Sequence, residues 1–113
     1  MALPTGSGSE ILGNIGGTST SAATHTILTV PALHIYTILS IVISRNGSTT
    51  NTISLHARDS ADRTLVFQQA LSNTTFIWND KLVLMPANIL KLECTAGSET
   101  DYWISYIDQN WED

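Results

Sequence analysis

Cysteine is almost absent from this chain. Cys94 is the one thiol among 113 residues, so no intramolecular disulfide framework and no cysteine-based zinc site can be built from it. A lone thiol inside an apolar stretch acts as a small buried hydrophobe. Positive charge is scarce as well: five Lys and Arg stand against ten Asp and Glu, a formal net charge of −5. Without a basic stripe to neutralise phosphates, nucleic acid is excluded as the main partner. Long apolar runs are missing too. The longest covers about ten residues, roughly half of what a membrane helix needs, so the chain is not expected to span a bilayer. The opening MALPTGSGSE has neither the positive n-region nor the apolar h-region of a secretory signal. That predicts a soluble protein made in a cytoplasm, and reads the sequons Asn46-Gly47-Ser48 and Asn73-Thr74-Thr75 as turn residues.

Motifs of catalysis and phosphate binding are equally wanting. There is no GxSxG elbow and no HExxH pair. The glycines between Gly6 and Gly17 satisfy neither GxGxxG nor GxxxxGK[ST], and no strand precedes them. His25 and His34 mark strand starts and His56 sits mid-strand on a polar face, positions typical of exposed or satisfied histidines. Asp59 and Asp62 lack the further oxygen ligands of a calcium loop and read as turn formers. No enzyme activity, metal or cofactor is expected.

What the sequence does have is β-structure. The longest near-continuous run of β-formers is His34 to Ser44, HIYTILSIVIS. Strict alternation puts Ile35, Thr37, Leu39, Ile41 and Ile43 on one face and His34, Tyr36, Ile38, Ser40, Val42 and Ser44 on the other. Both faces carry apolar residues, as expected of a central strand with one face on the core and the other partly covered. Further strands are predicted at His25–Val30, Asn51–Arg58, Thr64–Ala70, on each side of Asn79-Asp80-Lys81, at Ile89–Cys94 and at Asp101–Asp108. Arg45-Asn46-Gly47-Ser48 carries the strongest hairpin signal, because Asn-Gly accepts positive φ at two successive positions. Short strands separated by turn signals predict an all-β fold, a single antiparallel β-sandwich of about eight strands, jelly-roll-like.

Residues 1–24 hold five of the seven glycines among many Ser and Thr and show no sustained period. They are expected to form an extended N-terminal arm, with the sandwich domain covering residues 25–113. Fully extended, the arm would reach roughly 80 Å. Its apolar pins, Leu3, Ile11, Leu12 and Ile15, suit docking onto a neighbouring surface. Trp78, Trp103, Tyr102, Tyr106 and Trp111 suit either a stacking platform for sugar rings or core and interface anchors. Trp111 follows the last predicted strand with no evident intrachain partner, which favours an interface anchor.

The phrases TILTVPALHIYTILSIVIS, FIWNDKLVLMPANILKLEC and YWISYIDQNW, with the opening MALPTGSGSEIL, resemble a group of small virion proteins of tailed bacteriophages. The resemblance runs from about Thr26 to Trp111 and implies a compact β-sandwich without a catalytic motif. It implies a capsid decoration (cement) protein that trimerises at local threefold positions on the virion surface and binds the major capsid protein, reinforcing the shell. On that basis Leu3, Ile11, Leu12 and Ile15 are expected at the capsid contact, and Tyr106 with Trp111 at a subunit contact of the homotrimer. The alternatives are a tail, baseplate or fibre component with a receptor-binding role, and a carbohydrate-binding module that uses the aromatic platform.

Overall fold

The computed structural model describes residues 9–19, 22–45, 51–71, 75–94 and 100–111. Among them are nine strands: β1 (Ser9–Ser19), β2 (Thr24–Thr29), β3 (His34–Arg45), β4 (Asn51–Arg58), β5 (Asp62–Leu71), β6 (Phe76–Trp78), β7 (Leu82–Leu84), β8 (Ile89–Cys94) and β9 (Thr100–Asn110). They form two antiparallel sheets, one ordered β1-β9-β3-β6 with β7 also paired to β3, the other ordered β2-β8-β4-β5. The chain passes from one sheet to the other at nearly every connection, and the two strand orders are those of a jelly roll. The expected all-β sandwich is therefore what the chain forms.

The core lies between the sheets. Ile38, Ile41, Ile43 and Ile104 of the larger sheet meet Ile53, Leu55, Leu90 and Leu92 of the smaller one, all fully buried. Each such side chain contributes about 1.5–3 kcal/mol by leaving water. Cys94, buried on β8, is part of this core. A polar tie crosses it: the buried Asn51 on β4 donates from Nδ2 to Oγ1 of the buried Thr100 on β9, at 2.5 Å.

β3 is central, as its composition predicts, but its two faces are not those of strict alternation. The register with β9 steps from Ile38↔Tyr106 to Ser40↔Ser105, so Leu39 is an extra residue in a β-bulge. Before the bulge Tyr36 and Ile38 point into the core; after it Ile41 and Ile43 do. The apolar residues that fell on opposite faces of an ideal strand thus share one face. Bulges also interrupt β4 and β5. There the buried Ser54 accepts the backbone N–H of Gln68 at 2.9 Å, and Gln68 takes a positive φ of 51°.

Two further expectations are corrected. The Asn46-Gly47 signal lies outside the described residues, but the strands it joins, β3 and β4, belong to different sheets, so the connection is not a hairpin. And residues 9–19 are not an arm leaving the domain. They form β1, paired with β9 along its whole length from Ser9↔Asn110 to Ser19↔Thr100.

The glycines explain how such a sequence enters a sheet. Gly13, Gly16 and Gly17 stand directly opposite Tyr106, Trp103 and Tyr102. A Cβ at these positions would come within 2.7 Å of the Tyr106 ring, 2.6 Å of the Trp103 indole and 2.5 Å of the Tyr102 hydroxyl oxygen. The aromatic side chains of β9 therefore occupy the space that β1 leaves empty, an arrangement that offsets the poor strand propensity of glycine.

Candidate functional site

Side chains of the larger sheet that point away from the core form a surface with no layer over it among the described residues. Five cross-strand rows run across it, the one nearest the start of β1 being Glu10, Gln109 and Ile35. Gly16, Trp103, Val42 and Ile77 make one row, on β1, β9, β3 and β6. Leu12, Ile107, Thr37 and Val83 make another, on β1, β9, β3 and β7. Between them lies the polar row Asn14, Ser105 and Ser40, and at one end the polar row Thr18, Asp101 and Ser44. Leu12 is 75% exposed, Ile77 58%, Val83 55% and Trp103 51%. Apolar side chains so exposed and so ordered across one face mark an interaction surface.

A groove of about 470 Å³ opens at the Trp103 end of this face, lined among the described residues by Gly16, Gly17, Thr18, Val42, Ser44, Asp101, Tyr102 and Trp103. The benzo half of the Trp103 indole leans across Gly16, where a Cβ would collide with it. Asp101 closes the far side, its carboxylate accepting a 2.6 Å hydrogen bond from the Thr18 hydroxyl. The Ser44 hydroxyl, next to Asp101 in register, lies 3.2 Å from that of Thr75.

At the opposite end of β9 the inward side chains form a polar cluster. His34 Nδ1 lies 2.7 Å from Asp108 Oδ1. Tyr36 stacks on Tyr106 with ring centroids 4.6 Å apart and planes 16° from parallel. Burial, reinforced by the Asp108 charge and by Tyr106, pushes the Tyr36 phenol up from 10.0 to about 12. In the smaller sheet His56 bridges Thr64 and Glu93, each at 3.2 Å. No group of three or more His, Cys, Asp or Glu side chains is placed to hold a metal ion among the described residues.

The residues expected at contacts separate on this surface. Ile11, 61% exposed, and Leu12 are open to solvent, whereas Ile15 packs against the core opposite Ile104. Leu3 lies outside the described residues. Tyr106 is committed within the chain, against Gly13 and Tyr36. Trp111, expected to lack an intrachain partner, has one: its backbone N–H donates to the Leu33 carbonyl at 2.9 Å. Its indole Nε1 is buried. Sequence reasoning missed Ile77, Val83 and Ile107 as surface partners of Leu12 and Trp103. Alternation within each strand places them outward, but only the sheet order makes them neighbours.

No family model matches the chain, and no curated protein matches it. Among solved structures it is similar to one described as "Bacillus endospore appendages form a novel family of disulfide-linked pili", at 14% identity over 99% of this chain and 97% of that one, with a TM-score of 0.57. At that identity the likeness is one of fold.

Proposed function

We propose that the protein is a structural subunit of a multi-copy assembly, and within that class a capsid decoration protein of a tailed bacteriophage, without catalytic activity. The observation that carries the reading is the outward row Leu12, Ile107 and Val83, exposed at Leu12 and Val83 and continuous with the edge of β1 that no described strand covers. An edge strand presents unpaired backbone donors and acceptors, and beside it Ile11 and Leu12 supply apolar contact. The capsid is the partner of this edge, and homotrimer formation makes its modest contacts strong, because each further contact of a linked assembly is intramolecular. Sequence resemblance supplies the phage context; the surface supplies the means of docking.

A second reading, a pilus-type subunit, is favoured by the shared fold with the spore-appendage structure. Disulfide linkage of the kind named for those pili is disfavoured here, because Cys94 is the one cysteine of the chain and is buried. Quantitative mass spectrometry of purified phage particles separates the readings. A copy number close to that of the major capsid protein supports decoration. A few per cent of it moves the protein to the tail, baseplate or fibre. Absence from particles, with filaments formed by the purified protein, replaces the proposal with the pilus reading. Ile11→Glu with Leu12→Glu is expected to abolish binding to capsids while leaving the fold intact.

A further inference from the structure

We infer that the groove between Trp103 and Asp101 is a carbohydrate-binding site that takes a neutral pyranose. The inference does not depend on which assembly carries the protein. Trp103 is held by its packing across Gly16, yet half of its surface faces solvent. An indole fixed in this way offers a flat apolar area at little entropic cost.

A pyranose is the ligand whose two kinds of surface match the two ends of the groove. Its C–H face is apolar and stacks on an aromatic ring, while its rim is a ring of hydroxyl donors and acceptors. The Asp101 carboxylate lies one row from Trp103 on the same strand, with the Thr18 and Ser44 hydroxyls flanking it. A carboxylate accepts hydrogen bonds from sugar hydroxyls more strongly than a neutral acceptor does. The same carboxylate, in a chain of net charge −5, repels phosphorylated and sulfated ligands, which selects a neutral sugar over a nucleotide. The volume of about 470 Å³ falls in the usual range of small-molecule sites, about 300–1,000 Å³. Because the groove is open, a single site is expected to bind weakly, with a dissociation constant of about 1 mM, and an oligomer to gain by avidity.

The test is two-dimensional NMR of the tryptophan indole resonances of the full chain. The protein is titrated with methyl glycosides of glucose, galactose, mannose, rhamnose and N-acetylglucosamine, and with tetrasaccharides of each. At least one sugar is expected to shift the Trp103 indole and leave Trp78 and Trp111 in place. Trp103→Ala should weaken that binding by at least about tenfold. Since Trp103→Ala also removes packing from β1, Ser44→Trp supplies the second variant: it fills the groove, keeps Trp103, and should weaken binding equally at an unchanged urea midpoint. Three outcomes overturn the inference: no response across the panel, a response that survives both variants, or Trp103 shifts that follow protein concentration without sugar. The last would identify the groove as a contact between copies.

Discussion

The ring of Tyr106 lies over Gly13, the residue directly opposite it on β1, and the same ring stacks on Tyr36 of β3 at 4.6 Å. Held by that stack, Tyr106 has little room to withdraw. Trp103, opposite Gly16, has solvent on its outer side, so a methyl at Gly16 can press its indole outward without displacing a buried neighbour. Gly13→Ala is therefore expected to destabilise the fold by about 1–3 kcal/mol, as overpacking does. Gly16→Ala should cost less than about 1 kcal/mol on the same scale. Urea midpoints of the two variants check the order, and amide exchange along β1 should rise in Gly13→Ala first.

This relationship also marks where the sequence could be read and where it could not. β8 was legible to the residue, because ILKLEC alternates between a polar face and a core face with no bulge. β6 and β7 were legible from the turn residues between them. β1 was not, since its strand character resides in the partner: three glycines read as flexible until Tyr102, Trp103 and Tyr106 are placed opposite them. The Asn46-Gly47 signal misled for a related reason. Local turn chemistry carries no information on sheet membership, and β3 and β4 belong to different sheets. Of the candidate surface, Leu12 stood out as an apolar residue in a polar segment, while Ile77 and Val83 looked like ordinary strand residues.

The Asn51–Thr100 hydrogen bond joins the two sheets between side chains that are both buried. Asn51→Ala leaves the Thr100 hydroxyl buried without this donor, and an orphaned buried polar group costs about 1–3 kcal/mol. Adding Thr100→Val removes the orphan and should recover part of the loss. A double-mutant cycle in urea measures the recovery; strict additivity of the two single variants would contradict the tie.

Cys94 is buried in the native core, and a thiol reacts only as an accessible thiolate. The folded protein is expected to resist a thiol-specific aromatic disulfide reagent and to titrate as one thiol per chain only in denaturant. Assemblies dissolved without reductant should run as monomers on a denaturing gel. A covalent dimer would show that Cys94 becomes exposed on assembly.

Stability should fall at both ends of the pH range for opposite reasons. Hydrogen bonds from the backbone N–H groups of Ala61 and Ser60 lower the Asp59 carboxyl below its ordinary 3.8. Arg58 and Lys91 do the same for Asp62. A lowered folded-state pKa means that the native state binds fewer protons than the unfolded one. Their contribution is therefore complete above pH 3.8 and is lost as the pH falls through the folded values. Both groups are exposed, so Asp59→Asn and Asp62→Asn should flatten the acid limb only modestly. Tyr36 has the opposite sign. With its pKa raised from 10.0 to about 12, its contribution is complete below pH 10.0 and is lost between there and about pH 12. Urea midpoints across this range should show a flatter alkaline limb in Tyr36→Phe, which keeps the ring stack and loses the titrating hydroxyl.

The bulge at Leu39 makes the final prediction. Across it the partners on β9 are consecutive, Tyr106 for Ile38 and Ser105 for Ser40. Removing Leu39 therefore leaves Ile38 inward, Ser40 outward and Ile41 inward, a regular strand with every core residue still facing the core. Removing Val42 instead shifts the pleat by one, which turns either Ile43 or the pair Ile38 and Ile41 toward solvent. Each isoleucine so exposed forfeits about 1.5–3 kcal/mol, a large share of the roughly 5–15 kcal/mol that holds a domain folded. The Leu39 deletion is expected to fold with a lowered urea midpoint, and the Val42 deletion to lose its cooperative transition. Equal behaviour of the two would mean that Leu39 packs as a regular strand residue and that the face switch of β3 arises elsewhere.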